Sequence, residues 1–441
     1  MIPPLLGLLI VLVAFGALFA GIRVLGARTK IHPELSRKAL HVGMGLVSTS
    51  LPWLFHEVWP VVVLGVLAGG ALVGLRMLPV LRTSMGTVLH GVERVSRGEF
   101  YFIAGVTLLF VLAGGNFVLY VIPMLWLTFA DATAALIGVK YGTLQYQTHD
   151  GRKSVEGSLA FAVVTFITTF IALVAWGHVN ALDDGLIALI AAILSMLLEA
   201  VVWDGFDNFA VPIFGYALLT TLEGLHAAEL ALRFVALAGL LGLTAWQRRR
   251  TSLLDEALLA AILSGYALWV LGGWTWLIAP ATLFLRDHFE SRNAVEGPRH
   301  DVRAVVASCL VGLVLAVLNV RFPPIDWFYA YTLSFAVTFA LFDLTLRLSR
   351  NHAASAGVAA FRSSLVAVVV LFAPLLLVRG IHPVTLLWAA LGLPVVFVCC
   401  LAFALAQPDI FDCPRDAPRW VRQTMLAGAG TALGLGITLA L

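Results

Sequence analysis

Apolar runs of roughly 17 to 22 residues recur along the whole 441-residue chain, and nothing else in it constrains the fold so tightly. Each run is long enough to cross about 30 Å of hydrocarbon as a helix. With 61% hydrophobic and 12% charged residues and a mean hydropathy of +0.96, the chain lies far outside the soluble globular range, where about a quarter of residues are charged. The expected fold is therefore all-α: a polytopic integral membrane protein with about sixteen transmembrane helices. The first run, residues 1–20, lacks the basic segment of a cleaved signal peptide and reads as a retained span. Cys309, Cys399, Cys400 and Cys413 show no CxxC or Cys/His ligand spacing, so they read as apolar filler, with neither a zinc site nor a disulfide framework indicated.

Basic residues set the orientation. If the spans alternate from an N-terminus outside, the inner connections are 23–41, 76–99, 139–156, 204–210 and 247–256; they hold fifteen of the sixteen Lys and Arg residues in the first 256 positions, Arg233 being the other. The positive-inside rule selects that orientation. Inner connections near 286–303, 347–362 and 415–422 continue the pattern, with Arg321 and Arg379 outside, so both termini are expected outside. The formal net charge of +3 calls for no nucleic-acid partner, because topology and anionic headgroups account for the basic residues.

Four polar segments consequently share the cytoplasmic side. "ELSRKALHVGMG" spaces Arg37, His41 and Gly45 by four, for one helix face, with Lys38 alongside. "ERVSRGEFYF" holds Glu93, Arg94, Ser96, Arg97 and Glu99. "DATAALIGVKYGTLQYQTHDGRKSVEGSLAF" places Asp131 against one apolar run and Lys153 and Glu156 just before the next. "EAVVWDGFDNFAVP" holds Glu199, Asp204, Asp207, Asn208 and Pro212. Arg37 and Lys38 also suit plain positive-inside anchors, and His41 a satisfied helix-end histidine. The acids ask for more: an ionised side chain in a span costs about 2.5 to 3.5 kcal/mol on insertion scales, which implies an interhelical ion pair or a task for Asp131 and Glu199.

On a helix, Asp131, Ala135, Gly138 and Gly142 follow at steps of 4, 3 and 4, so a groove of small residues runs from the carboxylate, open to a neighbouring helix or to a phosphate. Ser154 stands where an N-cap belongs, ahead of a helix starting around Gly157, with Lys153 before it. Free N–H groups beside a lysine suit phosphate oxygens. Carboxylates for a divalent metal, a lysine for phosphates and a groove for an apolar substrate point to phosphoryl or nucleotidyl transfer to a lipid.

"RKALH" (37–41), "DATAALIGVKYG" (131–142), "KSVEGSLA" (153–160) and Glu199 followed by "DNFAVP" (207–212) resemble, in order and spacing, the motifs of the polytopic CTP-dependent lipid kinases, the phytol kinase and dolichol kinase group. The resemblance covers about residues 30 to 220 and lies nearer the phytol kinase branch; "KSxEGS" followed by "DNxxxP" is its specific part. It implies a membrane enzyme that moves the γ-phosphate of a nucleoside triphosphate, typically CTP, to the hydroxyl of a long-chain isoprenoid alcohol with Mg²⁺. By that resemblance Asp131, Asp207 and Glu199 hold the metal or orient the hydroxyl, and Lys153 neutralises phosphate charge. Ser154, Glu156 and Ser158 fix its loop, Asn208 adds a metal or phosphate contact, and Arg37, Lys38 and His41 line the nucleotide site with Gly138 and Gly142.

The motif set is complete before "RRR" (248–250), which places a boundary near residue 250: a catalytic domain over 1–250 and a second polytopic membrane domain, accessory or degenerate, over 251–441. "SGYALWVLGGWTWLIAPATLFL" faintly resembles the start of the phytyl-phosphate kinase family, but "SFAVTFALFDLTLRLSR" offers only Asp343 as an acid. Two rival readings are a CTP-dependent nucleotidyltransferase making a CDP-lipid, which would release pyrophosphate, and a transporter, whose ionisable groups would sit near the bilayer midplane rather than at one face.

Overall fold

The computed structural model describes residues 2–28, 33–77, 97–148, 151–176, 180–248, 251–291, 300–323, 325–412 and 416–440. Glu93, Arg94, Ser96 and Cys413 lie outside the described residues. The chain divides into two compact units, Met1–Ala236 and Leu237–Leu441.

The first unit opens with α1 (Pro4–Arg28), α2 (Pro33–Thr49), the one-turn α3 (Leu51–Leu54), α4 (Trp59–Met77) and α5 (Gly98–Ala113). Next, α6 (Phe117–Leu125) passes through a π-helical turn (Trp126–Ala130) into α7 (Asp131–Tyr141). An antiparallel ribbon, β1 (Gln145–Thr148) on β2 (Gly151–Ser154), leads to α8 (Val155–Ala175), followed by α9 (Ala181–Val201) and α10 (Asp207–Leu222); α11 (Ala227–Gln247) contains the boundary at Ala236. Side-chain caps start the key helices: Asn116 Oδ1 accepts from Leu119 N–H, Ser154 Oγ from Gly157 N–H and Asn180 Oδ1 from Leu182 N–H. Pro123 removes the N–H that would bond the Leu119 carbonyl, and the wide π turn follows within one helical turn.

The core of this unit is built on α6 and the π turn, where Tyr120, Ile122, Met124 and Trp126 are fully buried. Their polar tips are matched, as a greasy interior requires: Trp126 Nε1 donates to Thr169 Oγ1 at 2.8 Å, and the Tyr120 hydroxyl to the Ser48 carbonyl at 2.8 Å. Gly215 lets α10 close on this core, since a Cβ there would lie 2.7 Å from the Trp126 ring.

The second unit comprises α12 (Asp255–Gly272), a 3-10 turn (Trp274–Leu277), α13 (Ile278–Ser291), α14 (Val302–Arg321), α15 (Phe328–Arg350), α16 (Ala356–Arg379), α17 (Pro383–Ala406) and α18 (Ala417–Ala440). Of these, α15 is the central helix: 89% of its most apolar stretch is buried, with α14, α16, α17 and α18 packed on it. Its Asp343 pairs with Arg347 Nε at 2.5 Å and Arg286 Nη2 at 3.4 Å and accepts from Ser363 Oγ at 2.8 Å, which ties three helices together. Cys309, Cys399 and Cys400 are buried free thiols.

Among the described residues, ten helices are long and apolar enough to cross a membrane by length and composition, and the shorter apolar segments Trp59–Gly74 and Gly98–Ala113 accompany them. The protein is an all-α, multi-pass membrane protein. Fewer helices meet both criteria than there are apolar runs, because α10 has 16 residues and α2, of 17, carries Arg37 and Lys38. The β ribbon, over a segment expected to be loop, is the main exception to helix.

Candidate active site

The site is built at the end of the first unit where the ribbon and the start of α10 lie. Along α2, the buried residue that reaches Asp131 is Lys38, whose Nζ lies 2.8 Å from Asp131 Oδ2; Arg37, one position earlier, is exposed. One turn on, His41 Nε2 lies 2.9 Å from the Leu127 carbonyl and 3.3 Å from the same Asp131 oxygen. Gly45 completes the face, for a Cβ there would sit 2.2 Å from Thr128 Oγ1. The face is thus Lys38, His41 and Gly45, three and four residues apart, rather than Arg37, His41 and Gly45.

The second part comes from the ribbon. Lys153, opposite Tyr146 in the register, donates to both the carboxylate (2.7 Å) and the backbone carbonyl of Glu199 at the end of α9. Burial works against the lysine's charge, but the Glu199 carboxylate, with Asp207 beyond it, outweighs burial and holds the ammonium above its ordinary pKa. Ser154 caps α8 as its position predicts. Glu156 takes no part in the acid cluster; it accepts from the Thr143 and Leu144 N–H groups at 3.0 Å and from the Thr143 hydroxyl, which fixes the loop into β1. Ser158 and the Tyr146 hydroxyl share a hydrogen bond of 2.7 Å, tying the ribbon to α8.

The small-residue groove from Asp131 is filled by the protein itself. A Cβ on Gly138 would meet Ser154 Oγ at 3.1 Å, one on Gly142, which caps α7 rather than continuing it, would meet Ser154 at 2.7 Å, and one on Gly157 would meet the Ala134 carbonyl at 2.9 Å. These glycines seat α7 against the start of α8, so in this structure that close approach belongs to a helix.

The third part is the turn before α10. Asp204 (φ +55°) and Gly205 (φ +77°) both take left-handed backbone, and Asn208 Nδ2 closes the turn on the Gly205 carbonyl at 3.1 Å. Pro212 deprives the Asn208 carbonyl of its i+4 N–H donor, and Gly105 lets α5 lie against that carbonyl, 2.6 Å from where a Cβ would stand. Asp207 is thereby held within electrostatic reach of Asp131, Lys153, Glu199 and Lys38. It makes no ion pair among the described residues. Burial, with the Asp131 charge next, pushes its carboxyl up to about 6.

Lys38, His41, Asp131, Lys153, Glu199 and Asp207 therefore converge, with Asn208 at their edge, whereas Glu156 and Ser158 brace the ribbon. Among the described residues no three His, Cys, Asp or Glu side chains form a metal cage, and Glu199 is committed to Lys153. Mg²⁺ requires no cage, being held by one or two carboxylates together with substrate phosphates. Asp131, both of whose contacts with α2 fall on Oδ2, and the unpaired Asp207 fit that role. Sequence reasoning missed Gly105, Tyr146 and the π turn; Pro123 was the one signal of the last.

No family model matches the chain, and no solved structure does. A phytol kinase from a Synechocystis species is 32% identical to it over 217 residues, which are 47% of this chain and 89% of that relative. At that identity and coverage, with the lipid-kinase motif residues converging on one site, the chain belongs to the phytol kinase family.

Proposed function

We propose that this protein is a CTP-dependent isoprenoid-alcohol kinase: it transfers the γ-phosphate of a nucleoside triphosphate to the hydroxyl of a long-chain, phytol-like alcohol at the cytoplasmic face of its membrane. The observation that carries this reading is the convergence of two lysine–carboxylate pairs, Lys38–Asp131 and Lys153–Glu199, around Asp207. The proposed topology keeps sixteen spans with both termini outside, on the strength of the charge count, and the whole site within residues 1–250.

Phosphoryl transfer needs alignment and charge stabilisation more than covalent help. Asp131, with Asp207 beside it, would hold Mg²⁺, which would supply neutralisation of phosphate charge. Lys153, aimed by Glu199, faces the phosphoryl oxygens on which charge builds up. The alcohol oxygen attacks the terminal phosphorus as the bridging P–O bond breaks, giving a lipid monophosphate and a nucleoside diphosphate. The hydroxyl proton passes to Asp207, the acid of the cluster that makes no ion pair among the described residues.

The test is incubation of the purified protein with γ-labelled CTP, ATP, GTP or UTP and a panel of phytol, geranylgeraniol, dolichol and diacylglycerol. Label on an isoprenoid alcohol, strongest from CTP, supports the reading. Release of pyrophosphate with formation of a CDP-lipid would assign nucleotidyl transfer instead, and an unlabelled panel would remove the kinase.

A further inference from the structure

The π turn immediately before Asp131 and the face of α2 that meets it form a single device. In a regular α-helix the Asp131 N–H would bond the Leu127 carbonyl, four residues back. Here it bonds the carbonyl of Trp126, five residues back. The Leu127 carbonyl so released accepts from His41 Nε2 at 2.9 Å. A carbonyl only accepts, so the ring proton sits on Nε2, and that same N–H lies 3.3 Å from Asp131 Oδ2. One turn further along α2, Gly45 leaves room for Thr128, whose hydroxyl donates to the Met124 carbonyl at 2.6 Å within the widened turn. Edge contact with Phe102, 5.9 Å between ring centroids, holds the imidazole plane. The Nε2 side of His41 is therefore engaged by protein groups. Because Lys38 and His41 both address Oδ2, Oδ1 of Asp131 is the oxygen left for the site.

From this geometry we infer that His41 is a positioning residue rather than a nucleotide contact: as its Nε2–H tautomer it locks the π turn and fixes the orientation of the Asp131 carboxylate. The inference rests on the kinase reading of the site, in which Asp131 acts on the phosphates. It reassigns the histidine of "RKALH" from the nucleotide-binding role its position in the motif implies.

The test uses the full chain with His41→Ala and His41→Gln. The glutamine amide can donate where the imidazole does, and alanine cannot. Loss of such an orienting partner costs about 10- to 100-fold in activity. The expected result is a loss of that size in kcat for His41→Ala, with the nucleotide KM within about twofold of wild type, and recovery of most of it in His41→Gln. A nucleotide KM raised about tenfold with kcat unchanged would make His41 a nucleotide contact and overturn the inference. A second readout needs no activity: ¹⁵N spectra of histidine-labelled protein, with the His41 signal identified by its loss in His41→Gln. They should show the Nε2-protonated ring, with a signal that moves in Asp131→Asn. An Nδ1-protonated ring would sink the inference even in an active enzyme. A wild type that phosphorylates no alcohol but shows the Nε2–H ring would instead remove the kinase reading and leave the positioning geometry standing.

Discussion

The Lys153 ammonium bridges two acceptors on one residue, the carboxylate of Glu199 at 2.7 Å and its backbone carbonyl, so the β ribbon is pinned to the last turn of α9. That contact makes a lysine from an extended segment and a glutamate from a spanning helix into one functional pair. Its side chains are 26% and 13% exposed, buried enough for the loss of either partner to be felt.

Lys153→Ala strands the Glu199 carboxylate without its cation, which is expected to cost about 1–3 kcal/mol, below the range for a fully buried pair. Thermal unfolding in detergent should show the loss, and the double variant Lys153→Ala with Glu199→Gln should recover much of it. Activity should stay low in both, with the nucleotide KM raised. Full activity in the double variant would remove the lysine from catalysis.

Asp131→Asn and Asp207→Asn separate charge from packing, because volume and hydrogen-bonding capacity barely change. Each is expected to lower kcat/KM by about 10²-fold or more, equivalent to roughly 2.7 kcal/mol of transition-state stabilisation, with the fold retained. Kinetics at varied Mg²⁺ and nucleotide check this. Near-normal activity in both would return the two acids to structural roles.

The raised pKa of Asp207 predicts a stability effect of definite sign. With a folded-state value of about 6 against an ordinary 3.8, the folded protein holds a proton that the unfolded chain releases. Stability therefore falls as pH rises through that window, and the penalty is complete above it. Asp207→Asn should be more stable than wild type above about pH 6, by about 1 kcal/mol or more, with the difference vanishing near pH 4. Mg²⁺-free melting curves over that range measure it. In wild type, kcat/KM should fall on the acid side as the proton acceptor becomes protonated, at a pH below the Mg²⁺-free value because a neighbouring cation favours the carboxylate.

The second unit offers a control. Asp343 is clasped by Arg286, Arg347 and Ser363 within a bundle of its own, so Asp343→Asn should lower thermal stability while leaving the kinase kcat within about twofold. A loss of activity comparable to that of Asp131→Asn, with the fold intact, would refute confinement of the catalytic site to residues 1–250.

Sidedness is open to direct labelling. Cysteines introduced at Gln147 in the ribbon and Gly205 in the turn before α10 should react with an impermeant reagent from the same, cytoplasmic, side. Reaction from opposite sides would dissolve the shared site.

Much of this was legible in the residues themselves, where the physics is local. Apolar runs of bilayer length dictate membrane helices whatever their neighbours do. An N-cap depends on a hydroxyl and an N–H three residues apart, so Ser154 declares the start of α8 by itself. The cost of an ionised acid in an apolar run marked Asp131 and Glu199 as groups with partners, and both have them. The tertiary structure alone decided which partners. One residue of helical phase separates Arg37 from Lys38 by about 100°, and only the packing of α2 against the π turn brings Lys38 to Asp131 and leaves Arg37 exposed. The π turn itself shifts the face of every residue after it, which spacing along a regular helix does not register. Glu156 and Lys153 stand three residues apart in one motif, yet the hairpin sends the lysine to α9 and the glutamate to the loop before β1, because extended backbone and helix meet at Ser154 and turn their side chains in different directions.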